Sequence, residues 1–593
     1  MIAIDDFNNS KVKKLPNHLR QYIVDQNYEN YTSINHAVWR YVMRQNYSYL
    51  KNVAYYPYIK GLARAGLSIE NIPDLQTMND NLGKIGWGAV TVDGFIPPVA
   101  FMEFQAYQVL VIAADIRQIN HIAYTPAPDI IHESAGHAPI IADEAYNNYL
   151  SYFGSIGAKA MFSSKDYQLY EAIRKLSILK EDINAHPADI KKAEQKVNFC
   201  QENLGDPSEM ALLSRLHWYT VEYGLIGTLE DPKIYGAGLL SSIGESASCM
   251  QKDVKKLWYN FDTINYSYDI TKTQPQLFVT PNFQNLIDVL EAFADTMAFR
   301  KGGTESVLKA IECKKTCTAV YSSGLQISGV FTDIGMSKND ELHFIKTTGT
   351  SALSHDNKQL QNHGKDFHKD GFSSPVGKLK NEDKCLENFG EKDLEKYNIL
   401  KGNDTNIEFE SGISVSGKVK SLLFKNDKLL LISFDNCTVT TKENQILFKP
   451  EFGVYDMAVG EKIVSVFCGA ADKDAFEEIA HVSKTQTKKV DYSKKQLELQ
   501  QLYQETKLIR LTENGIENVE RIFNELKKNH REDWLCCIEL LEILNQHQIN
   551  ISLQKDIKIY LEMKASNYQE LKKLIEDGIK LIDNPVIQLT IKE

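Results

Sequence analysis

Apolar residues recur at helical spacing over two stretches of the first half of this chain, His36-Ala-Val-Trp39-Arg-Tyr-Val-Met43 and Leu286-Ile-Asp-Val-Leu-Glu-Ala-Phe293. They predict a mostly helical region from about residue 31 to 310. From about 316 to 484 the pattern changes to short runs rich in Val, Ile, Phe and Thr between turn residues, which predict strands. Residues 422–434 predict a hairpin turning at Asn426-Asp427, and 413–419, 445–448 and 461–467 predict further strands. Residues 351–401 are polar and read as a loop in which His355, His363 and His368 are solvated. The helical period returns after Tyr492, over 496–511, 516–526, 534–544 and 568–582. The expectation is a multidomain chain: a mainly α-helical unit (1–312), a β-rich unit built as a small barrel or sandwich (313–488), and a C-terminal helical region (489–593).

The densest chemistry lies in Tyr124-Thr-Pro-Ala-Pro-Asp-Ile-Ile-His132-Glu133-Ser-Ala-Gly136-His137. Neutral imidazoles suit borderline metals. A zinc protease helix carries its two His at i and i+4; here the second is at i+5, rotated roughly 140° from the first on an ideal helix. Both reach one ion only if the helix ends or bends between them. Gly136 permits such a bend, and Pro139 marks a stop. Glu222, in the aromatic stretch His217-Trp-Tyr-Thr-Val-Glu222, is the candidate third ligand, since a lone buried acid there needs a partner. Two His and one carboxylate on one side of an ion leave open positions, as in non-haem Fe(II) sites.

These residues resemble the iron motif of the tetrahydropterin-dependent aromatic amino acid hydroxylases, the family of phenylalanine, tyrosine and tryptophan hydroxylases. The likeness continues in order through Gly94-Phe-Ile-Pro-Pro-Val-Ala-Phe101, Ile116-Arg117, Trp218-Tyr-Thr-Val-Glu222-Tyr-Gly-Leu, Tyr235-Gly-Ala-Gly-Leu-Leu-Ser241-Ser242-Ile-Gly-Glu245 and Gln274-Pro-Gln-Leu-Phe-Val279, across about half the chain. The resemblance implies a helical hydroxylase-like catalytic domain over 1–312, with the later units as a long C-terminal extension on a bacterial-type enzyme. It implies Fe(II) on His132, His137 and Glu222, a tetrahydrobiopterin or related tetrahydropterin near Gly94, Phe95, Phe101 and Glu133, and O₂ as co-substrate. Glu133 would serve as the acid beside the open iron face. Arg117 would grip the substrate carboxylate, and Thr125, Pro126, Trp218, Tyr223 and Ser241 would line the pocket of a small aromatic amino acid. Val279 matches the phenylalanine-preferring branch, so the implied reaction is L-phenylalanine to L-tyrosine, in phenylalanine catabolism. The sequence departs from the family at His217, where Tyr is usual, and at Ser134-Ala135. His137 and Glu222 stand farther apart along the chain than in the animal enzymes, and the extra length over about 163–203 reads as an inserted helical hairpin broken at His186-Pro187.

Composition narrows the alternatives. Lys and Arg (67) are outnumbered by Asp and Glu (78), a net charge of −11, with no sustained basic stripe; this argues against a nucleic-acid partner. No apolar run approaches a membrane span, and the start Met-Ile-Ala-Ile-Asp-Asp lacks a signal-peptide pattern, so a cytoplasmic protein is expected. Nine scattered cysteines read as reduced thiols, with Cys313/Cys317 and Cys536/Cys537 as incidental pairs. Homo-oligomerisation has no sequence support. The competing readings are a tyrosine or tryptophan hydroxylase, and a scaffold or ligand-sensing protein with a vestigial site.

Overall fold

The helix Ser33–Val53 begins at a reciprocal cap, in which the Thr32 side chain accepts from the Asn35 backbone and the Asn35 side chain accepts from that of Thr32, satisfying two orphan donors. The computed structural model describes this helix and the rest of the chain except residues 1–7, 57, 93–95, 124–128, 182–184, 270–272, 478–491 and 584–593. Val38, Trp39, Val42, Met43 and Leu50 are buried as their spacing predicts, but so are Arg40 and Tyr41 on the other side. A helix buried all round needs a second cover. The C-terminal helices Lys494–Thr512, Leu535–His547 and Gln569–Asp583 supply it.

The second cover is specific. Both Nη atoms of Arg40 donate to the Glu542 carboxylate at 2.7 Å, Arg44 also pairs with Glu542, and Arg510 donates to Glu539 at 2.7 Å. The Tyr41 hydroxyl donates to the Leu574 carbonyl at 2.5 Å, and its ring meets Trp534 edge-on at 5.2 Å. Trp534, Leu541 and Ile557 share one buried cluster with Trp39 and Leu50. The break expected at 489 therefore separates these helices in sequence but not in space.

The first half carries little sheet. β1 (Gly88–Val92) and β2 (Val109–Ala113) run parallel. β3 (Leu225–Gly227), β4 (Pro232–Ile234), β5 (Lys255–Trp258) and β6 (Gln276–Thr280) form a four-stranded sheet in the order β4-β3-β6-β5. The inserted hairpin is present as Ser164–Glu181 and Pro187–Glu202, with His186 capping the second helix.

The β-rich region consists of two antiparallel sheets. One contains β7 (Thr316–Tyr321), β8 (Leu325–Met336), β9 (Leu342–His355), β10 (Lys358–Gln359), β11 (Ser373–Pro375) and, far along the chain, β17 (Ile463–Cys468). The other contains β12 (Asp404–Glu408), β13 (Ser414–Lys425), β14 (Lys428–Thr440), β15 (Ile446–Phe448) and β16 (Tyr455–Ala458). The β13–β14 hairpin turns at Asn426 and Asp427, both at positive φ (49° and 60°), the left-handed pair that a two-residue turn requires. Two expectations need correction. Residues 351–355 belong to β9 rather than to a loop, and His368 is buried rather than solvated, because the connection that carries it folds back onto β9. The Cys313/Cys317 pair gains a third thiol: β17 pairs with β7 so that Cys468 lies opposite Cys317, and the three buried sulfurs lie within 4.8 Å of one another.

Truncating Glu542 leaves Arg40 and Arg44 buried without their main acceptor, a change that costs about 3–5 kcal/mol when a buried pair is broken. Glu542→Ala is therefore expected to lower the denaturation midpoint by that equivalent, measured on the full chain.

Candidate metal and substrate site

The first two candidate ligands lie on a π-helix, Ile131–His137. Its i→i+5 hydrogen bonding brings residues five apart over one another, which resolves the angular mismatch of an ideal α-helix. The chain therefore neither ends nor bends at Gly136; it widens. Gly136 has a different task, since a Cβ there would lie 2.5 Å from the Ala237 carbonyl oxygen. Nor does Pro139 stop the helix: it sits in the first turn of the following α-helix, Ala138–Ile141, where its missing N–H is tolerated.

Glu222 closes a second π-helix, Trp218–Glu222. Its carboxylate spans the two imidazoles, with His132 Nε2 3.2 Å from Oε2 and His137 Nε2 3.4 Å from Oε1. The two rings stand perpendicular, 5.1 Å apart. The Ser241 hydroxyl donates to the Ala237 carbonyl at 2.9 Å, so His132 Nδ1, 3.0 Å away, donates to Ser241. Burial alone would raise the Glu222 carboxyl, but His137 and His132 hold it well below the usual range. Burial pushes Glu133 up to about 8 against the opposing His137. Glu133 Oε2 and both ring nitrogens of His137 are buried without a hydrogen-bond partner among the described residues, a costly condition; an ion between the two histidines and Glu222 would engage His137 Nε2.

His217, a departure from the family, packs edge-on between Phe101 (5.8 Å) and Phe153 (5.3 Å). Its Nδ1 lies 3.8 Å from Glu222 Oε1, and burial pushes it down to about 4, so it is neutral near pH 7. Trp218 stacks at 4.6 Å on both Tyr223 and Tyr268, and the Tyr223 hydroxyl donates to Glu245 at 2.6 Å. Arg117 is buried with Nε and Nη2 committed to the two oxygens of Asp129, each at 2.8 Å. Asp129 also accepts from the His132 backbone N–H at 3.0 Å. Burial would raise Asp129, but the Arg117 guanidinium holds it below its usual value. Val279 is fully buried on β6, and Phe278, on the other face of that strand, packs on Tyr219 at 4.7 Å. Ser241 serves His132 in this structure. Gly94, Phe95, Thr125 and Pro126 lie outside the described residues.

Asp129 and Glu245 lie in segments that carry the resemblance but were given no role from the sequence, and nothing there singled out Tyr268. Asp129, just before Ile131 in the doubled-proline segment, was the most accessible of the three, since a buried Arg needs an acid.

This arrangement defines a class. Residues 26–186 and 188–302 match the family described as biopterin-dependent aromatic amino acid hydroxylase. It is 26% identical over 289 residues to phenylalanine-4-hydroxylase of Chromobacterium violaceum, covering 48% of this chain and 82% of that one. It is 31% identical over 235 residues to phenylalanine-4-hydroxylase of Dictyostelium discoideum (39% and 43% covered). Among solved structures, it is similar to the C. violaceum phenylalanine hydroxylase with bound iron(III) and oxidised 7,8-dihydrobiopterin, at 25% identity and a TM-score of 0.37, with 46% of this chain and 86% of that one covered.

A methyl group at Gly136 has no room against the Ala237 carbonyl. Gly136→Ala is expected to cost about 1–3 kcal/mol by overpacking, read as a lower unfolding midpoint, together with weaker retention of metal.

Proposed function

We propose that residues 26–302 hydroxylate the ring of L-phenylalanine to give L-tyrosine, with Fe(II), a tetrahydropterin and O₂. The observation that carries this reading is the meeting of His132, His137 and Glu222 at 3.2 and 3.4 Å, with His137 otherwise unpartnered. The donor set of two imidazoles and one carboxylate suits non-haem iron, and these three residues would hold it. Bound there, iron and the reduced pterin supply the activation of O₂.

The chain's own residues bind, orient and exclude water. Ser241 fixes the ring of His132, the outer-shell support that ligating histidines need. Asp129 fixes Arg117 and leaves part of the guanidinium edge for the substrate carboxylate, a pairing that suits a planar fork. The stack of Trp218, Tyr223 and Tyr268 gives an aromatic wall for the substrate ring, and Phe101 a face for the pterin. Glu133, buried beside His137, stands where a proton can be held near the open metal face. Val279, as a small apolar residue, favours phenylalanine over a hydroxylated ring. The names of the relatives, phenylalanine-4-hydroxylases in a bacterium and an amoeba, support the same substrate. Among the described residues no helix is long and apolar enough to cross a membrane.

Purified full-length protein with Fe(II), tetrahydropterin, O₂ and phenylalanine is expected to form tyrosine, detected by mass; pterin oxidation without tyrosine would point to another aromatic substrate. His132→Ala is expected to lose both iron and turnover, and normal iron content in that variant would overturn the ligand assignment. Ser241→Ala is expected to weaken iron affinity by about 10–100-fold, the usual effect of losing an outer-shell partner, measured by competition with a chelator.

A further inference from the structure

The β-rich region contains a second meeting of two imidazoles and a carboxylate, formed by His363, His368 and Asp456. The two histidines lie on the connection between β10 and β11, strands that both pair with β9. Their backbones are pinned to β9: the His363 carbonyl accepts from the Leu353 N–H and the His368 carbonyl from the Ser351 N–H, each at 2.9 Å. Asp456 comes from β16, in the other sheet. The cluster therefore sits where the two sheets meet.

The side chains are arranged for a ligand they do not provide for one another. Ser433 donates to Asp456 Oδ1 at 2.5 Å, which orients the carboxylate. The other oxygen, Oδ2, is buried without a hydrogen-bond partner among the described residues, on a side chain only 3% exposed. His363 Nδ1 and His368 Nε2 lie 3.2 Å apart and 3.8 and 3.9 Å from Oδ2, beyond hydrogen-bond reach of it. A point equidistant from these three atoms lies about 2.1 Å from each, within the roughly 2.0–2.2 Å of metal–imidazole and metal–carboxylate bonds. A mere imidazole–imidazole hydrogen bond accounts for the close approach of the two rings but leaves a buried carboxylate oxygen stranded, a costly arrangement. An ion at that point engages all three atoms at bonding distance.

We propose that His363, His368 and Asp456 bind a divalent first-row transition-metal ion, distinct from the one at His132, His137 and Glu222, which fastens the β10–β11 connection to β16 and so joins the two sheets. Two nitrogens and one oxygen select borderline ions such as Zn(II), Fe(II) or Co(II) over Ca(II) or Mg(II). His363, at 16% side-chain exposure, leaves a path for water to complete the coordination.

The test uses Co(II) on reduced, chelator-stripped full-length protein carrying His132→Ala, which removes the first ion without touching the β-rich region. This parent is expected to bind one equivalent with a weak d–d spectrum and no thiolate charge-transfer band, such as Cys313, Cys317 and Cys468 would give. Adding His363→Ala or Asp456→Asn is expected to abolish that uptake. A parent that binds no Co(II), or binds it only with a thiolate band, overturns the proposal, and does so independently of whether the second variants fold. Undiminished uptake in the double variants overturns it as well.

Discussion

The geometry of the catalytic half depends on one close approach. The short helix Ala237–Ser241 is wedged against both π-helices, and it fits only because side chains are missing there. A Cβ on Gly136 would lie 2.5 Å from the Ala237 carbonyl, and one on Gly236 would lie 2.5 Å from that of Glu222. Contact at this range transmits position, since packed interiors have little slack. The same helix ends at Ser241, which holds the ring of His132. One element thus fixes the spacing of the two segments that carry the candidate ligands and the orientation of one of them.

A second constraint acts from outside. The helix Ser33–Val53 touches the ligand scaffold directly, with the Asn46 side chain donating to the Leu240 carbonyl at 3.0 Å in the helix that carries Ser241. Its opposite side is held by Arg40 and Tyr41 against the C-terminal helices. Buried ion pairs contribute little net stability, but breaking one leaves a charge stranded; the Arg40–Glu542 pair therefore enforces one docking arrangement. The C-terminal helices thereby bear on the ligand scaffold through a single intervening helix.

The sequence made the candidate ligands legible because their residue types and order are distinctive: His132, His137 and Glu222 needed only spacing and an aromatic context to stand out. The backbone that joins them was less legible. A π-turn has no side-chain signature, so the i+5 interval read as a bend at Gly136, when that glycine is needed for contact with Ala237, far along the chain. The Asn426-Asp427 turn was legible because a two-residue hairpin places local demands on φ. The cluster at His363 was not: its third member, Asp456, arrives through the pairing of β16 with β14, and long-range register is invisible to local pattern. Cys468 was missed for the same reason. Four of the C-terminal helices were found by their period, while Ile551–Asn567 was missed, and their apolar faces gave no indication that they would pack on Ser33–Val53, at the opposite end of the sequence.

The two clusters differ in the charge they gather, and that difference bears on what each can do. At the first, Glu222 and Glu133 lie buried among His132, His137 and His217, while Arg117 neutralises Asp129 nearby. Two carboxylates match a doubly positive ion, and without it burial drives Glu133 toward its protonated form. At the second, Asp456 is the single carboxylate, so an ion there keeps a net positive charge and depends on water, admitted beside the part-exposed His363, to stabilise it. A balanced, enclosed centre beside a stacked aromatic wall suits chemistry that must exclude water. A centre whose donors come from both sheets, Asp456 on β16 and the two histidines held against β9, suits an ion that holds structure together.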